Sequence, residues 1–266
     1  MPETNPDLVR PNSGRIYDYL LGGSHNFEVD RQAGEQMKRL LPFVTKTARM
    51  QRWCVQDIAN ELTFQRGYDV IIDFASGLPT EEHLHQNVKP GTTVIYSDQD
   101  PITVEYAREI LHDVPNAFYF QADVCHPESL LTRPEVQAIL QGRRDIAMVA
   151  WGVSMFISPE NVQHLSRYLY DWSGPRSCLV FQAQGADVNQ DEPSVAEALQ
   201  LYRKMGMPMY VCSLDRYKEL VQPWHADEKG FISVLAWHGL DQSIMTEQDL
   251  RSFGVSAIGY GAYLVK

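Results

Sequence analysis

Three aspartates recur at equal intervals along the sequence, each at the end of an apolar run. Asp73 ends the run in "DVIIDFASGLPT", Asp98 follows "TTVIYS", and Asp123 follows "AFYFQA", so that 25 residues separate each from the next. Carboxylates accept hydrogen bonds and attract cations, whereas they repel phosphate. A single aspartate after a strand is often only the N-cap of the next helix. Three aspartates at one spacing, with a glycine turn after the first, favour a ligand-binding site.

The turn after Asp73 differs from a phosphate-binding loop. Nucleotide phosphates are bound by a G-x-G-x-x-G turn whose backbone amides face the anion. Here Ala75 replaces the first glycine, Gly77 is present, the third glycine is absent, and Pro79 removes one amide from the start of the helix. The turn therefore favours a cofactor that has a cationic group and no phosphate.

S-adenosylmethionine fits this description, because it joins an adenosine to a sulfonium and an amino-acid tail without any phosphate. In this interpretation Gly77 lets the backbone approach the cofactor, and Asp73 organises the turn or accepts a hydrogen bond from the ammonium group. Asp98 would bind the two ribose hydroxyls, and Asp123 the amino group of adenine. A nucleotide-dependent oxidoreductase is the alternative, which the missing glycines and Asp73 oppose.

The elements that position these aspartates follow from the hydrophobic pattern. Strand-like apolar runs alternate with segments of helical spacing through the middle of the chain. Repeated units of this kind predict a doubly wound, mostly parallel α/β sheet with helices on both faces. In such a sheet ligands bind outside the carboxyl ends of the strands, where we expect the aspartates. Near the end, "FISVLAWHG" and "AIGYGAYLV" predict two strands that pair antiparallel at one edge.

The first part of the chain has a different character, being helical and rich in loops. The segment "ARMQRWCVQDIANEL" predicts an amphipathic helix that leads into the first strand. We therefore divide the chain into residues 1–65, an N-terminal helical extension packed on the core, and residues 66–266, the domain that contains the sheet.

Composition and charge exclude several classes of function. The chain has 266 residues, of which 44% are apolar, and a net charge of −11. Such an acidic chain lacks the basic surface that binds nucleic acid. The four cysteines show neither C-x-x-C spacing nor a histidine pair at ligand spacing, so we expect no metal site and reduced thiols. The start of the chain has no apolar signal core, and no apolar run is long enough to cross a membrane, which indicates a cytoplasmic protein.

Several motifs together resemble one known family. "GRIYDYLLGGSHNFEVDR", "DFASGLPT" and "IYSDQDPITVEYAREIL" are similar to the S-adenosyl methyltransferase family, formerly a domain of unknown function, within the class I S-adenosylmethionine-dependent methyltransferases. The resemblance extends over nearly the whole chain. It implies a Rossmann-like sheet of seven strands, methyltransferase activity, and a class I methyltransferase domain at residues 66–266. Two residues depart from the family pattern: Ala75 replaces a glycine, and Met155 replaces a histidine that would lie near the transferred methyl group.

The N-terminal motif predicts a lid over the carboxyl edge of the sheet. In this hypothesis Tyr17 lines the cofactor pocket, and the backbone amides at Gly22, Gly23 and Ser24 meet the carboxylate of the cofactor. Core packing is the alternative for the tyrosines and leucines of this helix. The predicted cofactor-binding residues are Tyr17, Gly22, Gly23, Asp73, Ala75, Ser76, Gly77, Asp98, Gln99, Asp123, Val124 and Trp151. No catalytic residue is assigned.

The sequence gives fewer signals for the part of the site that would bind the methyl acceptor. No N-P-P-[YF] or D-P-P-Y motif follows the fourth strand, which with the charge argues against methylation of DNA or of protein glutamine. The run "YRKMGMPMYVCS", residues 202–213, is either core or an adaptable apolar wall for a small molecule. His25, His225 and His238 are candidate bases. We predict O-methylation of a small-molecule acceptor, with a non-catalytic S-adenosylmethionine-binding protein as the alternative.

Overall fold

Three helices form the N-terminal part of the protein. The computed structural model describes residues 10–80 and 82–266; residues 1–9, part of the stretch without a signal core, lie outside the described residues. The helices are α1 (Ser13–Leu21), α2 (Glu28–Leu40) and α3 (Val44–Asn60), and α3 continues into a π-helical turn at Glu61–Gln65. Asn12 caps α1 by accepting hydrogen bonds from the amides of Gly14 and Arg15.

A sheet of eight strands lies at the centre of the fold. The strands are β1 (Val70–Asp73), β2 (Thr93–Asp98), β3 (Ala117–Gln121), β4 (Ala147–Ala150), β5 (Cys178–Gln184), β6 (His225–Ala226), β7 (Ile232–Ser233) and β8 (Gly259–Val265). Their order is β3-β2-β1-β4-β5-β8-β6, and the short β7 also pairs with β8. β1 to β5 are parallel, and β8 runs antiparallel to its neighbours β5, β6 and β7. The predicted doubly wound, mostly parallel sheet is confirmed.

The remaining helices connect and cover these strands. They are α4 (Leu84–Asn87), α5 (Pro101–Ile110), α6 (Glu128–Leu131), α7 (Pro134–Leu140), α8 (Pro159–Trp172), α9 (Pro193–Lys204), α10 (Leu214–Leu220), α11 (Val234–Trp237) and α12 (Glu247–Phe253). Asp100 and Ser158 cap α5 and α8, and a proline follows each cap directly. Proline suits this position because its fixed φ matches the helix and its missing N–H would have no helical partner.

The C-terminal strands differ in part from the prediction. Of the run "FISVLAWHG", only Ile232–Ser233 forms a strand, and it pairs antiparallel with β8 as expected. Val234–Trp237 instead forms α11, because the Ser233 hydroxyl accepts a hydrogen bond from the amide of Ala236 and caps a helical turn. The antiparallel pairing is confirmed, and the strand prediction for Val234–Trp237 is wrong.

The N-terminal helices share a hydrophobic core with the sheet. Ile16 of α1 and both Cys54 and Ile58 of α3 are fully buried, in one cluster with Ile71 of β1 and Tyr96 of β2. A second cluster covers the opposite face of the sheet. The N-terminal helices are thus packed on the core, while the division of the chain at residue 65 stays a prediction.

A buried ion network joins α1 to two other elements. The Arg15 guanidinium donates hydrogen bonds to Asp30 of α2, at 2.9 Å, and to Asp100, the cap of α5, at 3.0 Å. All three side chains are buried. Removing one partner of a buried ion pair leaves an uncompensated charge and costs roughly 3–5 kcal/mol. The network therefore fixes α1 against the segment that follows β2.

Candidate functional site

The turn that follows β1 has an unusual backbone conformation. Ala75 and Gly77 have φ values of 53° and 63°, in the left-handed region that costs a residue with a Cβ roughly 1–2 kcal/mol. The Ser76 hydroxyl donates to the Asp73 carbonyl at 2.8 Å, and the Ser76 amide donates to the Ser97 carbonyl at 2.8 Å. These bonds fix the turn at the carboxyl end of β1, and the φ value explains why glycine suits position 75.

The other two aspartates lie at the carboxyl ends of the neighbouring strands β2 and β3. Asp98 accepts hydrogen bonds from the amides of Gly77, at 3.1 Å, and Asp100, at 2.9 Å. Asp123 accepts a hydrogen bond from the amide of Cys125 at 2.8 Å. Backbone amides therefore orient both carboxylates at one edge of the sheet.

A cavity of about 360 Å³ lies at this edge. Its polar side, which we call the acidic wall, consists of Asp73, Asp98, Asp123 and the turn 75–77. All but two of the predicted cofactor-binding residues line the cavity: Tyr17, Asp73, Ala75, Ser76, Gly77, Asp98, Gln99, Asp123, Val124 and Trp151. The structure thus brings together residues that are up to 134 positions apart in the sequence, from Tyr17 to Trp151.

Gly22 and Gly23 do not line the cavity, and they have a local structural role. Gly22 ends α1 with a φ of 88°. A Cβ on Gly23 would lie 2.1 Å from a carboxylate oxygen of Asp18. That carboxylate also accepts hydrogen bonds from the His25 amide and the Asn26 side chain. The two glycines thus let the chain turn closely around Asp18, and the structure does not bring their amides to the cavity.

Tyr17 and Trp151 line the cavity while their polar atoms bond to α3. The Tyr17 hydroxyl donates to the Ala48 carbonyl at 3.0 Å, and Trp151 Nε1 donates to the Gln51 carbonyl at 3.2 Å. Because these polar groups already have partners, the two rings offer mainly apolar surface to a ligand.

Burial weakens the acidity of the acidic wall. It raises the pKa of Asp73 to about 7 and the pKa of Asp98 to about 6, although hydrogen bonds to each carboxylate act in the opposite direction. A cation beside these groups would favour their ionised form. Burial also lowers the pKa of His83, another lining residue, well below its usual range, so that its ring is neutral. The wall is therefore suited to a cationic ligand.

Arg52, which is not among the residues predicted from the sequence, also lines the cavity. Its side chain lies on α3 and is only 5% exposed. Its Nε and Nη1 atoms have no hydrogen-bond partner among the described residues. The guanidinium lies over the ring of Tyr17, 5.5 Å from the ring centre. The sequence does hold a signal, since Arg52 shares a helix face with Ala48 and Val55, where a charge is unexpected.

The other side of the cavity, which we call the apolar wall, comes from the N-terminal helices, α9 and the C-terminal segment. Its residues are Leu20, Met37, Leu41, Val195, Ala198, Leu199, Tyr202, Met209, Phe253 and Ile258. Of the run 202–213, only Tyr202 and Met209 are among the described lining residues. Gln184, at the end of β5, also lines the cavity, and its Oε1 has no hydrogen-bond partner within residues 10–80 and 82–266.

None of the three candidate bases lines the cavity in the described part of the chain. His25 packs edge-on against an aromatic ring of α5, His225 is exposed in β6, and His238 Nε2 contacts a backbone carbonyl of α3 at 2.9 Å. Met155, at the position where the family that this chain resembles usually has a histidine, does line the cavity. The lining thus offers apolar surface rather than a basic ring at that position.

Two further kinds of feature are absent from the described residues. These residues contain no group of three His, Cys, Asp or Glu side chains that could hold a metal ion. No helix within residues 10–80 and 82–266 combines the length and the apolar character needed to span a bilayer.

Comparison with known proteins gives a family and two similar structures. A family model described as S-adenosyl methyltransferase matches residues 2–260. The crystal structure of a proposed methyltransferase from Thermobifida fusca YX is similar at a TM-score of 0.83 and 26% identity, covering 100% of this chain and 99% of that chain. A DUF574 family protein from Streptomyces avermitilis MA-4680 is similar at a TM-score of 0.83 and 25% identity, covering 98% and 99% of the two chains. A search of curated proteins found no match.

Proposed function

The chain belongs to the S-adenosyl methyltransferase family, and we propose that this S-adenosylmethionine-dependent enzyme methylates an oxygen atom of a small, largely apolar acceptor. The observation that carries the proposal is that the acidic wall and the apolar wall line one cavity. A cofactor on the first wall and an acceptor against the second would meet inside the protein.

The acidic wall suits the cofactor in charge and in shape. We assign Asp98 to the ribose hydroxyls, Asp123 to the adenine amino group and Asp73 to the ammonium of the methionine tail. The fit rests on the donor set, because buried carboxylates beside a turn without a phosphate cradle match a cationic ligand that has no phosphate. When bound, S-adenosylmethionine supplies a methyl carbon activated by the sulfonium.

The apolar wall would hold the acceptor in line with that carbon. Alignment of two bound reactants can supply roughly 7–11 kcal/mol of the reduction in barrier. The N-terminal helices and α9 also exclude water, which strengthens electrostatic interactions within the cavity. The unpartnered Oε1 of Gln184 is available to accept a hydrogen bond from a polar group of the acceptor.

The protonation states of the residues that line the cavity favour an acceptor whose hydroxyl group is itself acidic. The neutral ring of His83 has its Nδ1 3.3 Å from the Tyr96 hydroxyl, and we assign Asp73 to the cofactor ammonium. A carboxylic acid is ionised at neutral pH and an acidic phenol is at least partly ionised, so neither needs a protein base, whereas an alcohol does. We therefore propose carboxylic acids and acidic phenols with an apolar body as the acceptor class.

A direct test is an acceptor screen with purified protein and S-adenosylmethionine, in which formation of S-adenosylhomocysteine and of methylated product is measured by mass spectrometry. We expect transfer to apolar carboxylic acids or phenols and none to amines of matched shape. Transfer to the amines alone would contradict the proposal. Asp98→Asn should lose most of this activity, and Asp113→Asn, at an exposed aspartate, is the matched control that should retain it.

A further inference from the structure

Arg52 places a positive charge inside the cavity without a matching anion. The Nε and Nη1 atoms are buried and have no hydrogen-bond partner among the described residues. Transfer of a cation from water into a protein is unfavourable unless an anion or several hydrogen bonds replace the lost water. The ring of Tyr17, 5.5 Å away, offers a cation–π contact that does not use the guanidinium N–H groups. The Nε and Nη1 donors of Arg52 thus remain available to an anionic ligand.

Asp73 of the acidic wall and two nearby histidines feel the charge of Arg52. Burial raises the pKa of Asp73, and the charge of Arg52 acts against this shift. Burial lowers the pKa values of His83 and His85, and the charge of Arg52 lowers them further. No ion pair joins Arg52 to Asp73 within the described part of the chain, so that opposite charges line one region of the cavity without neutralising each other. A ligand group with one positive and one negative end would complement both.

We propose that Arg52 binds the α-carboxylate of the cofactor's methionine tail, while Asp73 faces the α-ammonium of the same tail. The inference rests on the cofactor site proposed above. It supplies a partner for the carboxylate in place of the amides of Gly22 and Gly23, which do not line the cavity. It also gives the enzyme a means of distinguishing S-adenosylmethionine from adenosine derivatives that lack the amino-acid end.

The acceptor is the other possible source of an anion, and the position of Arg52 argues against it. Among the residues that feel the charge of Arg52, Asp73 ends β1, His83 lies in the segment after it, and Tyr96 lies on the adjacent β2. The apolar wall is built largely from α9 and the C-terminal segment. An acceptor carboxylate on Arg52 would therefore occupy the space proposed for the methionine tail.

The test uses two ligands that differ only in the carboxylate: S-adenosylhomocysteine and its decarboxylated amine. Their binding to wild type, to Arg52→Met and to Arg52→Lys is measured by calorimetry on the full chain. Charged hydrogen bonds are strong enough that Arg52→Met should weaken S-adenosylhomocysteine binding at least about tenfold. The amine should bind Arg52→Met as well as wild type or better, because a repulsive cation has been removed. Arg52→Lys keeps the charge, so its affinity for S-adenosylhomocysteine should lie between those of wild type and Arg52→Met. Arg49→Met, at an exposed arginine of the same helix, is the control and should match wild type.

Several outcomes would overturn the inference. An equal loss for both ligands in Arg52→Met and Arg52→Lys would assign Arg52 a structural role, and unchanged binding of both would place the carboxylate elsewhere. In a parallel titration with S-adenosylhomocysteine, weaker binding by Asp98→Asn with no effect of Arg52→Met would reject this inference and keep the proposed cofactor site. Absence of binding by wild type would reject both.

Discussion

The two walls of the cavity are built in different ways. In the acidic wall, Asp98 and Asp123 are oriented by backbone amides close to them in the sequence or in the turn that follows the neighbouring strand β1. In the apolar wall, side chains such as Met37, Ala198 and Phe253 come from helices far apart in the chain and offer few directional contacts. Fixed carboxylates select one ligand by charge and direction, whereas a wall of dispersed apolar residues can accommodate different shapes. We therefore expect local motifs to determine the cofactor and tertiary packing to determine the acceptor.

Removing a carboxylate of the acidic wall should have the largest effect on binding. Asp98→Ala should weaken S-adenosylhomocysteine binding about 10-fold to 100-fold, because hydrogen bonds to a charged acceptor contribute about 1.5–3 kcal/mol. Calorimetric titration measures this change. Asp113→Ala, at an exposed position, should bind like wild type, and a similar Kd for Asp98→Ala would show that the acidic wall does not hold the ribose.

A larger side chain in the apolar wall should weaken binding of the acceptor and leave binding of the cofactor unchanged. Ala198→Phe adds a ring to the buried face of α9 and should raise the KM for the acceptor roughly tenfold, since overpacking typically costs 1–3 kcal/mol. The Kd for S-adenosylhomocysteine should stay unchanged. Glu197→Phe, on the exposed face of the same helix, is the matched control. If Ala198→Phe weakened cofactor binding while the melting temperature stayed constant, the separation of the two walls would be wrong.

The acidic wall should also make cofactor binding depend on pH. Asp73 has its pKa raised to about 7 by burial, so the fraction of ionised carboxylate facing the ammonium falls as the pH falls through that value. Affinity for S-adenosylhomocysteine should decrease about fourfold between pH 8 and pH 6.5. Asp73→Asn removes this titration, so its binding should be weaker at pH 8 and should vary less over the same range. A wild-type affinity that is constant over this range would exclude Asp73 from contact with the ammonium.

The smallest expected effect is on the free energy of unfolding, from a substitution in the turn that follows β1. Ala75→Gly should raise the free energy of unfolding by about 0.5–1 kcal/mol, because relief of the left-handed conformation exceeds the entropy cost of glycine. Urea denaturation measures the change. Ala138→Gly, at an exposed position in α7, should instead destabilise the protein by about 1 kcal/mol. Destabilisation by both variants would mean that the Ala75 methyl group contributes packing that outweighs the strain.

The sequence was informative where the signal is local. Strand ends and helix caps depend on neighbouring residues, and the parallel order of β1, β2 and β3 then places Asp73, Asp98 and Asp123 along one edge. The position of the Gly22 and Gly23 amides depends on how α1 packs against other helices, which no local pattern encodes. Arg52 shares a helix face with Ala48 and Val55, but only the fold shows that its side chain is buried beside Tyr17. Ser233 caps Val234–Trp237 as a helix, whereas the apolar run at these positions predicted a strand.

The buried network of Arg15, Asp30 and Asp100 has a consequence for how ligands enter and leave. Because Arg15 ties α1 both to α2 and to the segment after β2, α1 cannot swing away without breaking buried ion pairs. Its amide hydrogens should therefore exchange with solvent as slowly as those of β2, as native-state exchange would measure. Removing residues 1–30 would leave Asp100 without its cation and would report on unfolding rather than on a lid. These ion pairs do not involve α9, so we expect α9 to move more readily than α1 when a ligand enters or leaves the cavity.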